Sequence, residues 1–391
     1  MVSLNDVFLM TGFLFGHVAL VVATFNRVHA FPFPRRVIAA LRMVHVAVLL
    51  AGPLAAVWWC LDGQLRQAGL ADMLARQRWL MGYALICGGM AVLTPVIWSI
   101  RKMSGFGLTP LIRNHTQRLN VVREIGHSLI GSRSALLLSK VPGNQIFELD
   151  VHDKVLCHPR LAPALEGLTI GHLSDFHFTG KIKRDYFEYV IDRANELDVD
   201  LMAVTGDIVD KDECIDWIPS TLGQLKCRHG VFFVLGNHDK RVTDVGRLRA
   251  TLREAGLIEL ADRSHEIQVA GHRIALAGNE LPWFGPPSEL SSDQLDEQIF
   301  RILLSHSPDQ LQWARLRQFD LMLAGHTHGG QIRFPIIGPV LSPSLFGVKY
   351  ASGVFYKAPT LMHVSRGISG LEPIRINCAP ELAKLTLRSA T

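Results

Sequence analysis

The chain has 391 residues, of which 48% are hydrophobic, and its formal net charge is +5 at pH 7. This length leaves room for about two domains. The positive charge is uneven, because residues 1–102 hold nine Lys or Arg against three acids, whereas the remaining 289 hold 31 basic and 32 acidic side chains. A nucleic-acid-binding domain would carry the basic excess itself, so this distribution excludes nucleic acid as the expected partner.

Three apolar segments dominate residues 1–102, namely Val7–Thr24, Met43–Leu61 and Trp79–Ile100. Each is close to the roughly 20 residues that a helix needs to cross a bilayer. No basic region precedes the first segment and no small-residue cleavage site follows it, so a cleaved signal peptide is not expected. We predict an all-α transmembrane region of about three helices. A buried soluble helix stays open for one or more of the segments, above all for the second, which begins beside Arg42 and His45.

The basic flanks of these segments predict their orientation. With three spans, the first connection and the flank after the third segment lie on one side of the membrane. The positive-inside bias makes that side cytoplasmic, with the N-terminus outside. The expected location is therefore the inner membrane, multi-pass, with the long C-terminal part in the cytoplasm. The basic residues that decide this are Arg27, Arg35, Arg36, Arg101, Lys102, Arg113, Arg118 and Arg123 on one side, against Arg66, Arg76 and Arg78 on the other.

The six cysteines show neither paired spacing nor a Cys-x-x-Cys motif. This favours reduced thiols over a disulfide framework and agrees with a cytosolic C-terminal part.

Residues 103–165 are predicted to be a connector. Within it, Leu111–Ile130 mixes basic and apolar residues. Two interpretations stay open, a segment along the membrane surface and an amphipathic helix packed on the next domain.

Residues 166–391 alternate predicted strands and helices, which indicates βαβ units and a largely parallel sheet followed by an extended tail. The predicted strands are Leu168–Ser174, Leu201–Thr205, Val231–Leu235, Arg301–Ser305, Leu321–Ala324, Leu361–Ser365, Ile374–Asn377 and Lys384–Leu387, with a hairpin over His265–Ala277. The predicted helices are Arg184–Leu197, Cys214–Leu225, Arg247–Ala255 and one after Pro308.

Five polar motifs follow predicted strands, where the carboxyl ends of an open α/β sheet bind ligands. They are Asp175-Phe176-His177, Gly206-Asp207-Ile208-Val209-Asp210, Gly236-Asn237-His238-Asp239, His306, and Gly325-His326-Thr327-His328-Gly329-Gly330. A glycine before Asp207, Asn237 and His326 is expected to let the backbone turn sharply, so that the next side chain enters the crevice.

The residue types in these motifs suit a pair of divalent metals. Two such ions about 3.5–4 Å apart can clamp a phosphoryl group and ionise a water between them. Carboxylates, an amide oxygen and imidazoles without a thiolate favour Mn, Fe, Co or Zn and disfavour a structural, sulfur-bound zinc. Each motif alone also has an ordinary explanation, such as a turn, a helix cap or a buried histidine. The ordered combination is what indicates a metal site.

In this order, the five motifs resemble the calcineurin-like metallophosphoesterase superfamily, over about residues 165–390. The resemblance implies an α/β fold, a β-sandwich flanked by helices, over residues 166–391. It also implies two divalent metal ions, of which Mn is favoured over Fe or Zn. By motif position, one metal is held by Asp175, His177, Asp207 and His328, and the other by Asp207, Asn237, His306 and His326.

The same resemblance gives His238 a catalytic role, which is to steady the attacked phosphate or to protonate the leaving oxygen, with Asp239 orienting its ring. Asp210 is expected only to support its loop.

The end of the chain resembles a bacterial membrane-anchored phosphodiesterase branch, some of whose members are similar to UDP-2,3-diacylglucosamine diphosphatases. The segments concerned are Gly329–Pro335, Lys349-Tyr350 with Gly353, Val364–Gly367 and Pro380–Leu382. Arg333 and Arg366 are candidate contacts for a second phosphate or a nucleotide.

The function that this resemblance implies is hydrolysis of a phosphoester or pyrophosphate bond in a lipid-linked substrate, with UDP-2,3-diacylglucosamine of lipid A synthesis as one candidate. The partners are then the bilayer and that lipid, and the oligomeric state is not predicted. Two alternatives stay open. One is a hydrolase of soluble phosphodiesters or nucleotides, and the other is a membrane sensor or scaffold whose phosphoesterase domain is incidental.

Overall fold

A computed structural model describes residues 4–62, 78–104 and 110–390. It divides into two units, Met1–Leu108 and Thr109–Thr391. Arg66 and Arg76, which entered the orientation argument, lie outside the described residues.

The first unit contains three helices that are long and apolar enough to cross a membrane, which confirms the predicted all-α region. They are α1 (Leu4–Val28), α2 (Arg35–Leu61) and α3 (Arg78–Ser104). Each is longer than its predicted apolar segment because the flanking polar residues continue the helix.

Small residues let these helices approach closely. A Cβ added at Gly16 of α1 would lie 1.8 Å from the main-chain oxygen of Cys87 in α3. At Gly52 of α2 it would lie 2.7 Å from the ring of His17, and that ring hydrogen-bonds the hydroxyl of Tyr83 at 2.6 Å. Close contact at small residues and a polar link are how helices associate in lipid.

The second unit is built on two sheets. The seven-stranded sheet has the order β1-β2-β15-β3-β4-β5-β6. Its strands are β1 (Leu111–Asn120), β2 (Glu148–His158), β3 (Thr169–Leu173), β4 (Leu201–Thr205), β5 (Val231–Val234), β6 (Ile258–Glu259) and β15 (Glu381–Ser389).

The six-stranded sheet has the order β13-β14-β10-β9-β8-β7. Its strands are β7 (His265–Val269), β8 (His272–Asn279), β9 (Phe300–Ser305), β10 (Leu321–Ala324), β13 (Gly353–Lys357) and β14 (Thr360–Val364). A short hairpin, β11 (Arg333–Phe334) with β12 (Gly338–Pro339), stands apart from both sheets.

Helices accompany these sheets, as the predicted α/β class requires. They are α4 (Val121–Ile125), α5 (Arg133–Ser139), α6 (Arg184–Asn195), α7 (Val245–Glu254) and α8 (Leu311–Leu316). An apolar core joins residues of both sheets, such as Ile170 and Leu385 from the first and Ile302 and Leu361 from the second. The two sheets therefore pack against each other as a sandwich.

Parallel pairing explains where polar loops gather. Strands β3, β4 and β5 are parallel neighbours in the first sheet, and β9, β10 and β14 are parallel neighbours in the second. Their carboxyl ends therefore meet at one edge of each sheet, where the loops that follow can come together.

The expected connector is structured differently. Instead of a helix over Leu111–Ile130, the chain forms β1 and the short α4, and β1 pairs with β2 from Leu111↔Leu156 to Asn120↔Glu148. β1 is an edge strand whose side chains are mostly exposed. Its stability comes from the hydrogen-bond ladder to a distant strand, which hydrophobic periodicity does not reveal.

Two other predicted elements are wrong. The helix over Cys214–Leu225 is instead two 3₁₀ turns, Asp212–Trp217 and Leu222–Gln224, with Pro219 between them. A proline cannot donate the helical hydrogen bond expected there. Within the described residues, Ile374–Asn377 forms only isolated bridges through Ile376 rather than a strand. The remaining predicted strands and helices are present, with ends shifted by a few residues.

Candidate metal centre

All seven predicted metal ligands lie in loops that follow strands of the two sheets. Asp175 and His177 follow β3, Asp207 follows β4, Asn237 follows β5, His306 follows β9, and His326 and His328 follow β10. The structure brings them into two adjoining groups that share Asp207.

The first group comprises Asp175, His177, Asp207 and His328, each offering one donor atom within 4.8 Å of the others. Nε2 of His177 lies 3.2 Å from Nε2 of His328 and 3.6 Å from Oδ2 of Asp207. Nε2 of His328 lies 3.4 Å from Oδ1 of Asp175. Two imidazole nitrogens and two carboxylates thus converge on one point.

The second group comprises Asp207, His306 and His326, with Asn237 beside them. Nε2 of His306 lies 3.3 Å from Oδ2 of Asp207 and 3.1 Å from Oδ1 of Asn237. Oδ2 of Asp207 and Nε2 of His326 are both buried and make no hydrogen bond to the protein. Unsatisfied buried polar atoms are costly, so a bridging carboxylate and an imidazole in this state fit a cation between them.

Hydrogen bonds at the opposite ring nitrogens fix which nitrogen can bind a metal. Nδ1 of His306 donates to the main-chain oxygen of Thr205 at 2.7 Å, and Nδ1 of His177 donates to Asp210 at 2.8 Å. In the neutral ring each Nε2 therefore keeps its lone pair and faces the group of ligands. Burial lowers the pKa of His306, but Asp207 outweighs this and raises it to about 9, so a bound cation would take the place of the Nε2 proton. This arrangement of ligand and supporting acceptor is typical of metal-binding histidines.

The ligand loops use unusual backbone conformations. Asp175, His177, Asp207, His326 and His328 all have φ between 49° and 70°. Residues other than glycine seldom adopt positive φ, and such strain persists where the surrounding structure enforces it, commonly at functional sites.

The glycines of the motifs act in two ways, of which only one was expected. Gly206 has φ of 84° and makes the predicted turn before Asp207. Gly236 and Gly325 do not adopt positive φ. A Cβ on Gly236 would lie 2.3 Å from Oδ1 of Asp207, and one on Gly325 would lie 1.8 Å from Oγ of Ser174. Their small size is needed because the loops pack against each other.

Asp210 has a larger role than expected. Its Oδ1 accepts from Nδ1 of His238 at 2.6 Å and from Arg241 at 2.7 Å, and its Oδ2 accepts from His177. Burial raises the pKa of Asp210, but His177 and His238 outweigh it and hold that pKa well below the usual range. Asp210 thus orients one predicted ligand and the predicted catalytic ring together.

Asp239 does not orient His238, which corrects that expectation. Its carboxylate accepts from the main-chain N–H groups of Ile208, Val209 and Gly236, each at 2.8 Å. Asp239 therefore ties the loop after β4 to the loop after β5. Burial and the neighbouring Asp207 raise the pKa of Asp239 to about 7.

The ionisation of the ligands suits a metal site. Burial disfavours the charge on Asp207, but His306 and His238 outweigh this and hold its pKa well below the usual range. Burial and the neighbouring His306 lower the pKa of His326 to about 3, which keeps its imidazole neutral. An ionised carboxylate and a neutral imidazole are the forms that bind metals.

His238 and His328 are the partly accessible imidazoles among those described above, with side chains 14% and 15% exposed. The main-chain N–H of His238 donates to Oδ1 of Asp207 at 2.7 Å, and its Nε2 accepts from Arg241 at 3.2 Å. Its ring is therefore held by neighbours on both sides and still reaches solvent in part. Sequence reasoning missed Arg241, which lies three residues after His238. It also missed Trp283, whose ring centroid lies 4.7 Å from that of His326.

The two arginines considered as phosphate contacts are engaged with the protein. Arg366 is paired with Asp150 at 2.9 Å and Glu381 at 3.2 Å. Arg333 donates to the main-chain oxygen of Gly329 at 2.7 Å and also to Ser352. Both side chains therefore serve structural contacts.

Residues 168–330 match the family model for calcineurin-like phosphoesterases. These residues form a calcineurin-like phosphoesterase domain. The match contains every predicted ligand, and the chain is accordingly a metal-dependent phosphoric ester hydrolase. The donor set described above fits the two-metal centre of calcineurin-like phosphoesterases.

Characterised and uncharacterised relatives share this domain. The chain is 29% identical over 230 residues to the uncharacterized metallophosphoesterase YkuE of Bacillus subtilis, covering 57% of this chain and 80% of the relative. It is 29% identical over 249 residues to the phosphodiesterase YaeI of Escherichia coli, covering 62% and 88%. It is 30% identical over 285 residues to a bovine transmembrane protein with a metallophosphoesterase domain, covering 67% and 60%.

Proposed function

We propose that this calcineurin-like phosphoesterase is a membrane-bound phosphodiesterase or diphosphatase that hydrolyses a phosphoester or pyrophosphate bond in a lipid-linked substrate. UDP-2,3-diacylglucosamine is the first candidate substrate. Residues 1–102 form the membrane region, and the basic flanks at Arg35, Arg36, Arg101 and Lys102 favour a catalytic unit on the cytoplasmic face of the inner membrane.

The observation that carries the hydrolase assignment is the pair of unsatisfied buried atoms, Oδ2 of Asp207 and Nε2 of His326, within the two groups of donors. We assign Asp175, His177, Asp207 and His328 to one ion and Asp207, Asn237, His306 and His326 to the other. Two divalent cations bound there would polarise a phosphoryl oxygen and lower the pKa of water. Manganese is the favoured metal.

The chain's own residues position the substrate. His238 reaches toward solvent and can hydrogen-bond a phosphoryl oxygen or hold a proton for the leaving oxygen. Asp210 keeps the His238 ring in place, and Arg241 adds a cation at the same edge of the site. Burial of Asp175, Asp207 and His306 keeps bulk water away from the ligands.

The membrane-facing part of the proposal rests on two supports. Three helices in the same chain are long and apolar enough to cross a membrane. One relative is named a phosphodiesterase and another a transmembrane protein, which supports a phosphodiester bond and a membrane location. A catalytic unit tethered to a bilayer encounters lipid-linked phosphoesters more often than soluble ones.

The test uses the full chain purified in mild detergent with Mn²⁺. It is incubated with UDP-2,3-diacylglucosamine and, separately, with a soluble aryl phosphodiester, and the products are identified by mass. We expect UMP and the lipid monophosphate to form much faster than the aryl ester is cleaved. Asp207→Asn, which keeps the side-chain volume, should abolish both reactions.

Cleavage of the aryl ester alone would reject the lipid substrate and favour a hydrolase of soluble phosphodiesters. If the Asp207→Asn variant hydrolyses neither substrate but still supports the protein's function in the cell, the scaffold alternative would be favoured instead.

A further inference from the structure

Arg375 is a cation in the protein interior, next to the first group of predicted ligands. It is the largest side chain that the structure describes as fully buried. Within the described residues no carboxylate hydrogen-bonds its guanidinium, and its Nε has no hydrogen-bond partner. A buried charge without a counter-charge is costly, so its presence here indicates a role that offsets the cost.

The guanidinium of Arg375 donates to main-chain oxygens of two loops. Nη1 donates to Arg366 at 2.6 Å and to His328 at 3.3 Å. Nη2 donates to Ser369, and to Gly367 at 3.4 Å. His328 lies in the loop after β10, whereas the other three acceptors lie in residues 366–369, which follow β14 and which we call the β14 loop. Arg375 therefore bridges the two loops.

The β14 loop in turn contacts two ligands of the first group. The N–H of Ser369 donates to the main-chain oxygen of Asp175 at 2.9 Å, and the oxygen of Ser369 accepts from Nδ1 of His328 at 3.4 Å. A Cβ on Gly367 would lie 2.7 Å from the Cβ of Asp175. In the neutral ring, Nε2 of His328 then keeps its lone pair, 3.4 Å from Oδ1 of Asp175. The β14 loop thus orients the donor atom of His328 toward the ion.

The main chain of Arg375 is anchored apart from the ligands, by the segment that precedes β2. Its N–H donates to Oδ1 of Asn144 at 2.9 Å, and its oxygen accepts from the N–H of Gln145 at 2.7 Å. The side-chain amide of Asn144 also donates to the main-chain oxygens of Leu138 and Pro373, both at 2.9 Å. The guanidinium therefore extends from a fixed base to the two loops.

The second group of ligands is held by other contacts. His306 donates to the main-chain oxygen of Thr205, and the ring of His326 hydrogen-bonds the main chain of Pro343. In the described part of the chain, the guanidinium of Arg375 does not hydrogen-bond the loops after β5 and β9. Its removal should therefore weaken the first ion far more than the second.

We propose that Arg375 is a positioning residue for the first metal ion, because it holds the β14 loop and the main chain of His328 in the arrangement that this ion requires. Arginine suits the role because its planar fork carries five N–H donors, whereas lysine presents three from a single point. The inference rests on the two-metal centre proposed above and deepens it by distinguishing how the two ions are held.

The test compares Mn²⁺ binding by the wild-type chain and by Arg375→Lys, which keeps the charge but loses the fork. Both are full-length proteins in mild detergent, stripped of metal before Mn²⁺ is added. Equilibrium dialysis gives the number of bound ions and their affinities. Electron paramagnetic resonance distinguishes a single Mn²⁺ from two ions that interact. Neither measurement needs a substrate or turnover.

We expect the wild-type chain to bind two interacting ions. Arg375→Lys should bind one ion with nearly wild-type affinity and the other about 10–100-fold more weakly, as is typical when a group supporting a metal ligand is lost. At an Mn²⁺ concentration that fills both wild-type sites, the variant should therefore give the spectrum of a single ion.

Arg301→Lys is the matched control. Arg301 is also buried, and its guanidinium also donates to main-chain oxygens, such as those of Gln294 at 3.1 Å and Asp296 at 2.9 Å. It lies near the amino end of β9, whereas His306 follows the carboxyl end of that strand. Loss of its fork should lower the melting temperature but leave two interacting Mn²⁺ ions bound.

Tyr186→Phe probes the same loop without altering a buried charge. The hydroxyl of Tyr186 donates to the main-chain oxygen of Ile368 at 2.9 Å, and phenylalanine keeps the rest of the ring. If Arg375→Lys shows no cooperative melting in the absence of metal, Tyr186→Phe takes its place. We expect it to weaken the same single ion several-fold, and wild-type binding of both ions would then overturn the proposal.

Three results for a folded Arg375→Lys protein would overturn the proposal. They are two interacting ions at wild-type affinity, equal weakening of both ions, and a loss that Arg301→Lys reproduces. A wild-type chain that binds no interacting pair would instead reject the proposed two-metal centre, so the two failures are distinguishable.

Discussion

At the scale of single residues, the site depends on side chains that hold the ligands as much as on the ligands. Asp210 binds Nδ1 of His177 and Nδ1 of His238, so one carboxylate sets the direction of two imidazoles. Asp239 instead binds three backbone N–H groups and holds two loops together. Each of the two acids lies in the loop that follows a strand of the first sheet, but the two have separate functions.

Replacing Asp210 by Asn should lower activity without unfolding the protein. The amide keeps the side-chain volume but cannot accept from His177, His238 and Arg241 together. Loss of a partner that orients a metal-binding histidine typically costs about 10–100-fold in metal affinity or activity. The measurement is kcat/KM for the soluble aryl phosphodiester as a function of Mn²⁺ concentration, together with the melting temperature.

An Asp212→Asn variant is the matched control, because Asp212 binds Thr243 at the surface and makes no contact with the metal ligands in the described part of the chain. If Asp210→Asn keeps wild-type activity and Mn²⁺ dependence, the orienting role is wrong.

At the scale of elements, a buried polar cluster joins the two sheets next to the site. Lys154 of β2 bonds Glu381 of β15 and lies 2.9 Å from His363 of β14. His363 lies 2.8 Å from His172 of β3. Each of these four residues lies two positions along its strand from a member of the apolar core, so each faces the space between the sheets. The core residues are Leu156, Ala383, Leu361 and Ile170.

Glu381→Gln should destabilise the second unit strongly. The substitution removes the carboxylate that compensates Lys154 and Arg366, both of which lie in the protein interior. Breaking a buried ion pair on one side costs about 3–5 kcal/mol in the free energy of unfolding. We expect a fall in Tm of roughly 10 °C, at about 2–4 °C per kcal/mol for a domain of this size.

Glu372→Gln is the control for this measurement. Glu372 pairs with Lys181 through a half-exposed side chain, and exposed pairs contribute about 0–1 kcal/mol. A Tm for Glu381→Gln equal to that of the control would show that the cluster does not stabilise the sandwich.

At the scale of the whole molecule, metal binding should stabilise the folded protein. Loops from both sheets supply the ligands, so bound cations would link the sheets as well as catalyse. A ligand at about 100 times its Kd stabilises the folded state by about 2.7 kcal/mol. We therefore expect Tm of the full chain in detergent to rise with Mn²⁺ and to fall when a chelator is added.

Asp207→Asn should remove most of that Mn²⁺-dependent rise, because Asp207 belongs to both groups of donors. An unchanged rise in this variant would place the stabilising ions elsewhere. The measurement is independent of activity and so tests the ligand assignment alone.

Sequence alone determined the three apolar helices and the α/β class, and it predicted seven ligands and His238, whose side chains the structure brings together. These signals are local: apolar segments of membrane length, strands bounded by polar loops, and motifs whose residue types match a metal centre. They are readable because each depends on residues a few positions apart. The resemblance to the calcineurin-like family rests on the same motifs.

Tertiary structure decided the rest. β1 forms because β2 pairs with it. Gly236 and Gly325 have no room for a side chain because residues of other loops lie against them. Asp210, and not Asp239, contacts His238 because the fold of the two loops brings its carboxylate to the ring. Each of these depends on contacts between residues far apart in the chain, which local patterns do not encode.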